Sequence, residues 1–132
     1  GYVVAYIGEE SGEVPYTVFS AKKSYIEKNP EIIQKFTNAI YRGQLWVQEH
    51  RPEEIVQAIK KSFPDTTDEE LLAVVKRYRD NDAWAQTPLF TAEAFDRMQN
   101  ILQEAGELSK KAPYDKLVTN VFAEKAIENI KG

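Results

Sequence analysis

Cysteine is absent from this sequence, and histidine and methionine each occur only once. Without cysteine the chain has no disulfide, no thiolate metal site and no cysteine nucleophile. The single histidine, His50, excludes a histidine-rich metal cluster and a pair of catalytic histidines. Glycine-rich phosphate loops, nucleophile elbows and zinc-ligand spacings are missing as well. No pattern supports catalysis, and we predict neither a metal nor a cofactor.

Long apolar runs and clusters of basic residues are also missing. No run approaches the roughly 20 apolar residues that cross a bilayer, and the first residues lack the basic-then-apolar pattern of a signal peptide. The formal net charge is −4, with lysine and arginine spread along the chain. We therefore expect a water-soluble segment that does not bind nucleic acid. Because the chain does not open with methionine, we expect a piece of a longer protein.

Two stretches near the start of the chain have the composition of β-strands. Residues 2–7 (YVVAYI) are apolar on both alternating faces, which is typical of a strand covered on two sides. Residues 16–21 (YTVFSA) follow a turn-rich acidic loop, GEESGEVP. Two strands are too few for an independent sheet, so their partners are either missing from this chain or supplied by a second copy.

Everything after residue 21 has helical periodicity. The longest helix runs from Asn29 to His50, with Asn29 as the N-cap and Pro30 in the first helical position. Its apolar residues recur at three- and four-residue spacing and predict one buried stripe. That stripe consists of Ile32, Ile33, Phe36, Ala39, Ile40, Gly43 and Val47.

Further helices have marked starts or ends. Thr67 and Glu70 form a capping-box pair, Thr91 is a second N-cap, and Gly106 suits a left-handed residue after a helix. The helices are predicted at 22–28, 29–50, 52–63, 68–80, 92–105 and 121–131. The fold class predicted is therefore an α/β fragment, mostly helical, with two short strands followed by about six helices.

The acidic loop and several aromatic residues are candidates for ligand contact. Glu9, Glu10 and Glu13 could form a ligand-facing rim or a solvated turn, and as a rim they would favour a cation or an amino-heterocycle. Four aromatic residues could stack on a flat ligand: Tyr6, Tyr16, Trp46 and Trp84. Aromatic residues at helical or strand spacing, however, are usually part of the core. Of these four, Tyr16 is the residue least suited to the core, because it follows Pro15 at the junction between a loop and a predicted strand. His50 at a helix C-terminus has a sufficient structural role.

A resemblance to a known family covers nearly the whole chain. The carrying segments are GEVPYTVF at 12–19, KSYIEKNPEIIQKFTNAIYRGQLWVQEH at 23–50, EEIVQAI and FPDT within 53–66, YRDNDAW at 78–84 and AGELSKKAPYDKLV at 105–118. Together they resemble the C-terminal part of bacterial solute-binding proteins that serve ABC importers. The class is the nitrate, sulfonate, taurine and thiamine-pyrimidine type, with a type 2 periplasmic-binding-protein fold.

This resemblance implies an extracytoplasmic, non-catalytic protein whose two lobes close by a hinge motion around a small solute. Residues 1–15 would be the end of the second lobe and the hinge crossing, and 16–132 the C-terminal helical part of the first lobe. Contacts with the solute are expected from Glu9, Glu10, Ser11, Tyr16 and Thr17, with Tyr16 stacking. The full protein would dock on a membrane permease, and its signal or lipoprotein sequence would lie outside this chain.

Two other functions stay open at this point. A thiamine-pyrimidine synthase-like enzyme would share the fold, but its reactive residues would have to lie outside these 132 residues. A helical protein-interaction module would need an apolar groove between helices and stability without the strands. The isolated segment is also predicted to pair with a second copy through its N-terminal strands, or to expose an apolar patch.

Overall fold

A computed structural model describes residues 12–81 and 83–131, and this part of the chain is helical. Seven α-helices follow one another through short connections. They are α1 (Lys23–Lys28), α2 (Pro30–Glu49), α3 (Pro52–Ile59), α4 (Asp68–Asp80), α5 (Ala92–Glu104), α6 (Tyr114–Leu117) and α7 (Val121–Lys131), and a 3-10 turn (Lys60–Ser62) extends α3. The six predicted helices are therefore confirmed within a few residues, and the short segment at 114–117 adds a seventh.

The start of α2 differs in detail from its prediction. Pro30 occupies the first turn as expected, but the Asn29 side chain does not cap α2. Its Nδ2 instead donates to the Tyr25 carbonyl oxygen at 3.0 Å, in the preceding helix. Asn29 therefore ends α1 more than it begins α2, and the predicted capping bond at this residue is wrong.

One apolar core lies between α3 and α4. Its fully buried members are Ile55, Val56, Leu71 and Val75. Partly buried side chains from α2, α3, α4 and the following loop pack around them: Trp46, Val47, Ile59, Leu72 and Trp84. The stripes predicted for α3 and α4 thus face each other across a short turn, which is the usual arrangement for two consecutive amphipathic helices.

Helix α2 packs against α7. Ala123 and Ala126 are buried on α7, and Tyr41 is buried on α2. Gln34 Nε2 donates to the Phe122 carbonyl oxygen at 2.9 Å, across the same contact. Small alanine side chains let the two helices lie close, so this contact brings the C-terminus of the described chain back to α2.

The buried side of α2 is rotated from the predicted stripe. Ile33, Ile40 and Val47 are partly buried, as the periodicity indicated. Ile32 and Phe36 are 53% and 44% exposed, and two further stripe residues, Ala39 and Gly43, are exposed as well. The reason is that α7 contacts the face of α2 that carries Gln34, so four residues of the predicted stripe lie away from α7.

The predicted α/β fold class is wrong for the described residues, because they contain helices and no strand. Residues 16–21 were the second predicted strand, and they form none. A strand needs a neighbour to accept and donate its backbone hydrogen bonds, and the described chain offers none to this segment. All six of its residues are exposed. The first predicted strand, residues 2–7, lies outside the described residues.

The described helices do not cover one another completely. Fourteen large apolar side chains of the described residues are exposed. None of the described helices is long and apolar enough to cross a membrane. The helices therefore leave much apolar surface uncovered.

Candidate functional site

The segment from Gly12 to Phe19, called the rim segment below, contains the part of the predicted site that the structure describes. Tyr16 and Thr17 belong to it. The other three predicted contacts, Glu9, Glu10 and Ser11, lie outside the described residues and stay predictions. The rim segment has no helix or strand of its own, so its position depends on contacts with the helices.

Arg97 of α5 holds the start of the rim segment. Its NH1 donates to the backbone carbonyl oxygen of Glu13 at 2.7 Å, and its NH2 contacts Glu93 Oε1 at 2.8 Å. The Arg97 side chain is 33% exposed, and the Glu93 side chain is 81% exposed. Glu93 is one turn before Arg97 on the same helix, so it orients the guanidinium toward the loop. The contact fixes the loop backbone and leaves the Glu13 carboxylate exposed.

Gly12 allows the rim segment to approach Arg97 closely. Its φ of +73° lies in the left-handed region that favours glycine. A Cβ at this position would lie 3.2 Å from Arg97 Cζ and 3.2 Å from NH1. A larger residue would therefore be strained and would displace the guanidinium from the Glu13 carbonyl.

The aromatic residues of the rim segment project into solvent. Tyr16 is 100% exposed and Phe19 is 76% exposed. Phe19 meets Phe36 of α2 edge to face, with ring centroids 4.9 Å apart. The Tyr16 ring is thus uncovered, whereas Phe19 rests on α2. The interpretation of Tyr16 as the aromatic least suited to the core is confirmed, and its stacking on a ligand stays a prediction.

The two tryptophans belong to the core, as their spacing predicted. Trp46 and Trp84 both pack against the α3–α4 cluster. Trp46 also stacks on His50 with centroids 4.1 Å apart, and His50 Nδ1 lies 2.8 Å from the Trp46 carbonyl oxygen. These contacts give His50 a structural role at the end of α2.

A small surface pocket of about 200 Å³ opens beside Trp84. Its lining residues are Val47, Gln48, Tyr78, Arg79, Trp84 and Gln86. Arg79 NH1 already donates to the His50 carbonyl oxygen at 2.7 Å, and Gln48 Nε2 donates to the Gln86 carbonyl oxygen at 2.8 Å. The polar groups of this pocket therefore join α2, α4 and the 81–90 loop. Of the predicted solute contacts that the structure describes, neither Tyr16 nor Thr17 lines it.

Several carboxylates that could suggest chemistry serve as helix caps or surface ion pairs. The Thr67 hydroxyl and backbone N–H donate to Glu70 and lower its pKa from the ordinary value of 4.5. The Arg51 backbone N–H lowers the pKa of Glu54, and the Lys111 ammonium lowers that of Asp96. The described residues contain no group of three or more histidine, cysteine or acidic side chains that could hold a metal ion.

Sequence reasoning missed Arg97 and Phe19 as parts of this site. Glu93 and Arg97 are spaced four residues apart, which indicates an ion pair on α5, but nothing in that spacing points to Glu13. Arg97 contacts Glu13, which is 84 positions away, and Phe19 contacts Phe36, which is 17 positions later. Only the packing of the helices brings these residues together.

The chain is similar to a protein of Bacillus subtilis (strain 168) whose name is "Putative binding protein YtlA". The two are 43% identical over 125 residues, which cover 95% of this chain. The same region is 37% of that relative, so the chain spans little more than a third of the relative's length. No protein-family model matches the chain, and no solved structure matches it.

Proposed function

From this similarity to a protein named for binding, we propose that the chain is part of a solute-binding protein. In this proposal the full protein is the extracytoplasmic component of an ABC importer, and it binds a small solute between two lobes that close by a hinge motion. The observation that carries the proposal is the 43% identity over 95% of the chain. The importer class rests on the family resemblance of the sequence.

The rim segment supports this proposal through its combination of a fixed backbone and a free aromatic ring. Arg97 holds the backbone at Glu13, and three residues later the Tyr16 ring is fully exposed. An aromatic ring on an anchored segment loses less conformational entropy on binding than one on a free chain. Tyr16 and Thr17, together with Glu9, Glu10 and Ser11, are the proposed solute contacts.

The charge of the rim favours a cationic or amino-heterocyclic solute. Glu9, Glu10 and Glu13 lie within five positions, and repulsion would disfavour nitrate or a sulfonate. Arg97 adds one positive charge beside Glu13, but Glu93 already pairs with it. The acidic character therefore prevails, and an aminopyrimidine is the solute class we propose first.

Thermal denaturation of a longer protein would test this function. The 132 residues would replace the aligned region of the Bacillus subtilis relative, and the chimera would be heated with aminopyrimidines, taurine, sulfonates or nitrate. A solute at 100 times its dissociation constant should stabilise by about 2.7 kcal/mol, a shift of several degrees. Tyr16→Ala should reduce the shift, whereas Tyr25→Ala, a second exposed tyrosine (47%) outside the rim, should not.

Each result has a defined meaning. A shift with an anion alone would keep the transport proposal and remove the charge argument. No shift with any solute, together with turnover of a vitamin precursor, would replace the proposal by a thiamine-pyrimidine synthase-like enzyme. We further propose a membrane permease as partner and an extracytoplasmic location, and fractionation of cells that express the longer protein would test the location.

A helical protein-interaction module is the second candidate. It is favoured by one observation, the absence of strands from the described residues combined with exposed apolar side chains on α2. The homodimer predicted through the N-terminal strands is weakened for residues 16–21, which form no strand, and it stays a prediction for residues 2–7. This second function would be favoured by a partner protein whose binding requires Phe36 and does not change when small solutes are added.

A further inference from the structure

Four residues of the stripe predicted on α2 are exposed. They form a continuous apolar surface, which is called the α2 stripe below. It consists of Ile32, Phe36, Ala39 and Gly43, which are spaced by four, three and four residues. That spacing places all four on one line along the helix. Ile32 and Phe36 are 53% and 44% exposed, and Phe19 extends the surface at Phe36.

The size of these side chains changes along the α2 stripe. The first half carries the large side chains of Ile32 and Phe36. The second half is low, because Ala39 has a small side chain and Gly43 has none. A Cβ at Gly43 would meet no atom within 4 Å. Glu31, Lys35 and Arg42 lie about 60° to 100° around the helix, so charge borders only one side. Another polypeptide could therefore approach the α2 backbone closely at Ala39 and Gly43.

We propose that the α2 stripe and Phe19 are an intramolecular docking surface for a part of a longer polypeptide outside these 132 residues. The aligned region is only 37% of the Bacillus subtilis relative, so a protein of that length has ample chain to cover it. Ile32, Phe36 and Phe19 are 53%, 44% and 76% exposed, so this surface has apolar area left for a second element to bury. This inference does not depend on the proposed solute or importer.

The shape of the surface also favours a packed element over water. Scattered apolar residues on a protein surface need no explanation, but a line of four along one helix with an aromatic neighbour is a contiguous patch. Its first half protrudes and its second half is low, so a second element could pack beside Ile32 and Phe36 and approach the helix backbone at Ala39 and Gly43. The occupant is therefore expected to be an apolar face of the same folded protein.

Two substitutions would test the docking surface in two proteins. Phe36→Glu places a charge on the α2 stripe, and Gly43→Leu fills its low end. Both would be made in the 132-residue chain and in the chimera with the relative. The proposal predicts that each lowers the Tm of the chimera by at least about 5 °C and that of the 132-residue chain by less than about 2 °C. Lys35→Glu, on the charged border of α2, is the matched control and should change neither Tm by more than about 2 °C.

Sedimentation and a hydrophobic dye complete the test on the 132-residue chain. A monomer that binds the dye, and loses this binding with Phe36→Glu, supports the proposal. A stable dimer that Phe36→Glu dissociates would overturn it in favour of a second copy. Equal small effects of both substitutions in the chimera and the chain would overturn it in favour of a free surface. If the chimera does not fold, the same substitutions at the aligned residues of the Bacillus subtilis relative give the same readings.

Discussion

The contact between α3 and α4 and the exposed side of α2 use similar residues to opposite effect. Ile55 of α3 is 1% exposed, and Ile32 of α2 is 53% exposed. Both belong to apolar stripes with helical spacing. The stripe of α3 is closed because α4 follows after a short turn, whereas the α2 stripe has no such neighbour in the described chain. Amphipathicity thus shows that a face can be buried, but only the neighbouring elements decide whether it is.

The same substitution at the two isoleucines would test this difference most directly. Ile55→Ala should lower the free energy of unfolding by about 2–5 kcal/mol, because it removes buried methylene groups and leaves a cavity. Ile32→Ala should change it by less than about 0.5 kcal/mol, because the side chain is already half in water and alanine favours the helix. Urea denaturation followed by circular dichroism would measure both. Equal losses would show that the α2 stripe is covered even in the 132-residue chain.

The start of α4 offers a test of intermediate size on the closed side. The Glu70 backbone N–H donates to Thr67 Oγ1 at 3.3 Å, and the Thr67 backbone N–H donates to Glu70 Oε2 at 2.9 Å. Thr67→Ala should therefore cost about 1 kcal/mol in unfolding free energy, the usual effect of losing an N-cap. Thr66→Ala, in the preceding turn, is the control. If both variants unfold alike, the capping box does not stabilise the α3–α4 unit.

The same cap should give the stability a pH dependence. Hydrogen bonds from Thr67 lower the pKa of Glu70 below its ordinary value of 4.5. A folded-state pKa below the unfolded one gives stability that is present above the unfolded pKa and is lost as pH falls through the folded pKa. The Tm difference between the wild type and Glu70→Gln should therefore shrink between pH 7 and pH 3. Glu69→Gln removes one charge from the same turn as the control, and an identical pH profile for both variants would contradict the prediction.

The smallest effect is expected at the junction between the rim segment and α5. Arg97→Gln removes the bond from the guanidinium to the Glu13 carbonyl and changes no residue of the buried core. Hydrogen exchange of residues 12–17 should become about five- to tenfold faster, which corresponds to one hydrogen bond of ~1 kcal/mol. Global unfolding should hardly change, and Arg42→Gln on α2 is the control. Unchanged exchange in the Arg97 variant would show that other contacts hold the rim.

Local rules predicted the helices of this chain well. The Thr67–Glu70 box, the Thr91 cap and the left-handed Gly106 all appear in the structure, because each depends on residues within four positions. The bond from Ala94 N–H to Thr91 Oγ1 is 3.2 Å, as a cap requires. Features that depend only on contacts among neighbouring residues can be predicted from the sequence without knowledge of the fold.

Features that depend on distant residues were not readable in this way. Residues 16–21 have strand composition, but a strand forms only beside another strand, and none lies beside them in the described chain. The face of α2 that is buried depends on where α7 lies, and the bond from Gln34 to Phe122 spans 88 positions. The Arg97 contact with Glu13 spans 84 positions. In each case the missing information was the partner, not the intrinsic preference of the residues.

Three glutamines of α2 form hydrogen bonds to backbone groups of other segments. Gln34, Gln44 and Gln48 donate their side-chain amides to the carbonyl oxygens of Phe122, Thr87 and Gln86. A carbonyl oxygen is the same whatever side chain its residue carries. Positions 86, 87 and 122 are therefore free, as far as these bonds are concerned, to change identity, whereas the three glutamines must keep their amides. In a mutational scan, α2 should be intolerant at its glutamines while the segments that they hold accept many substitutions.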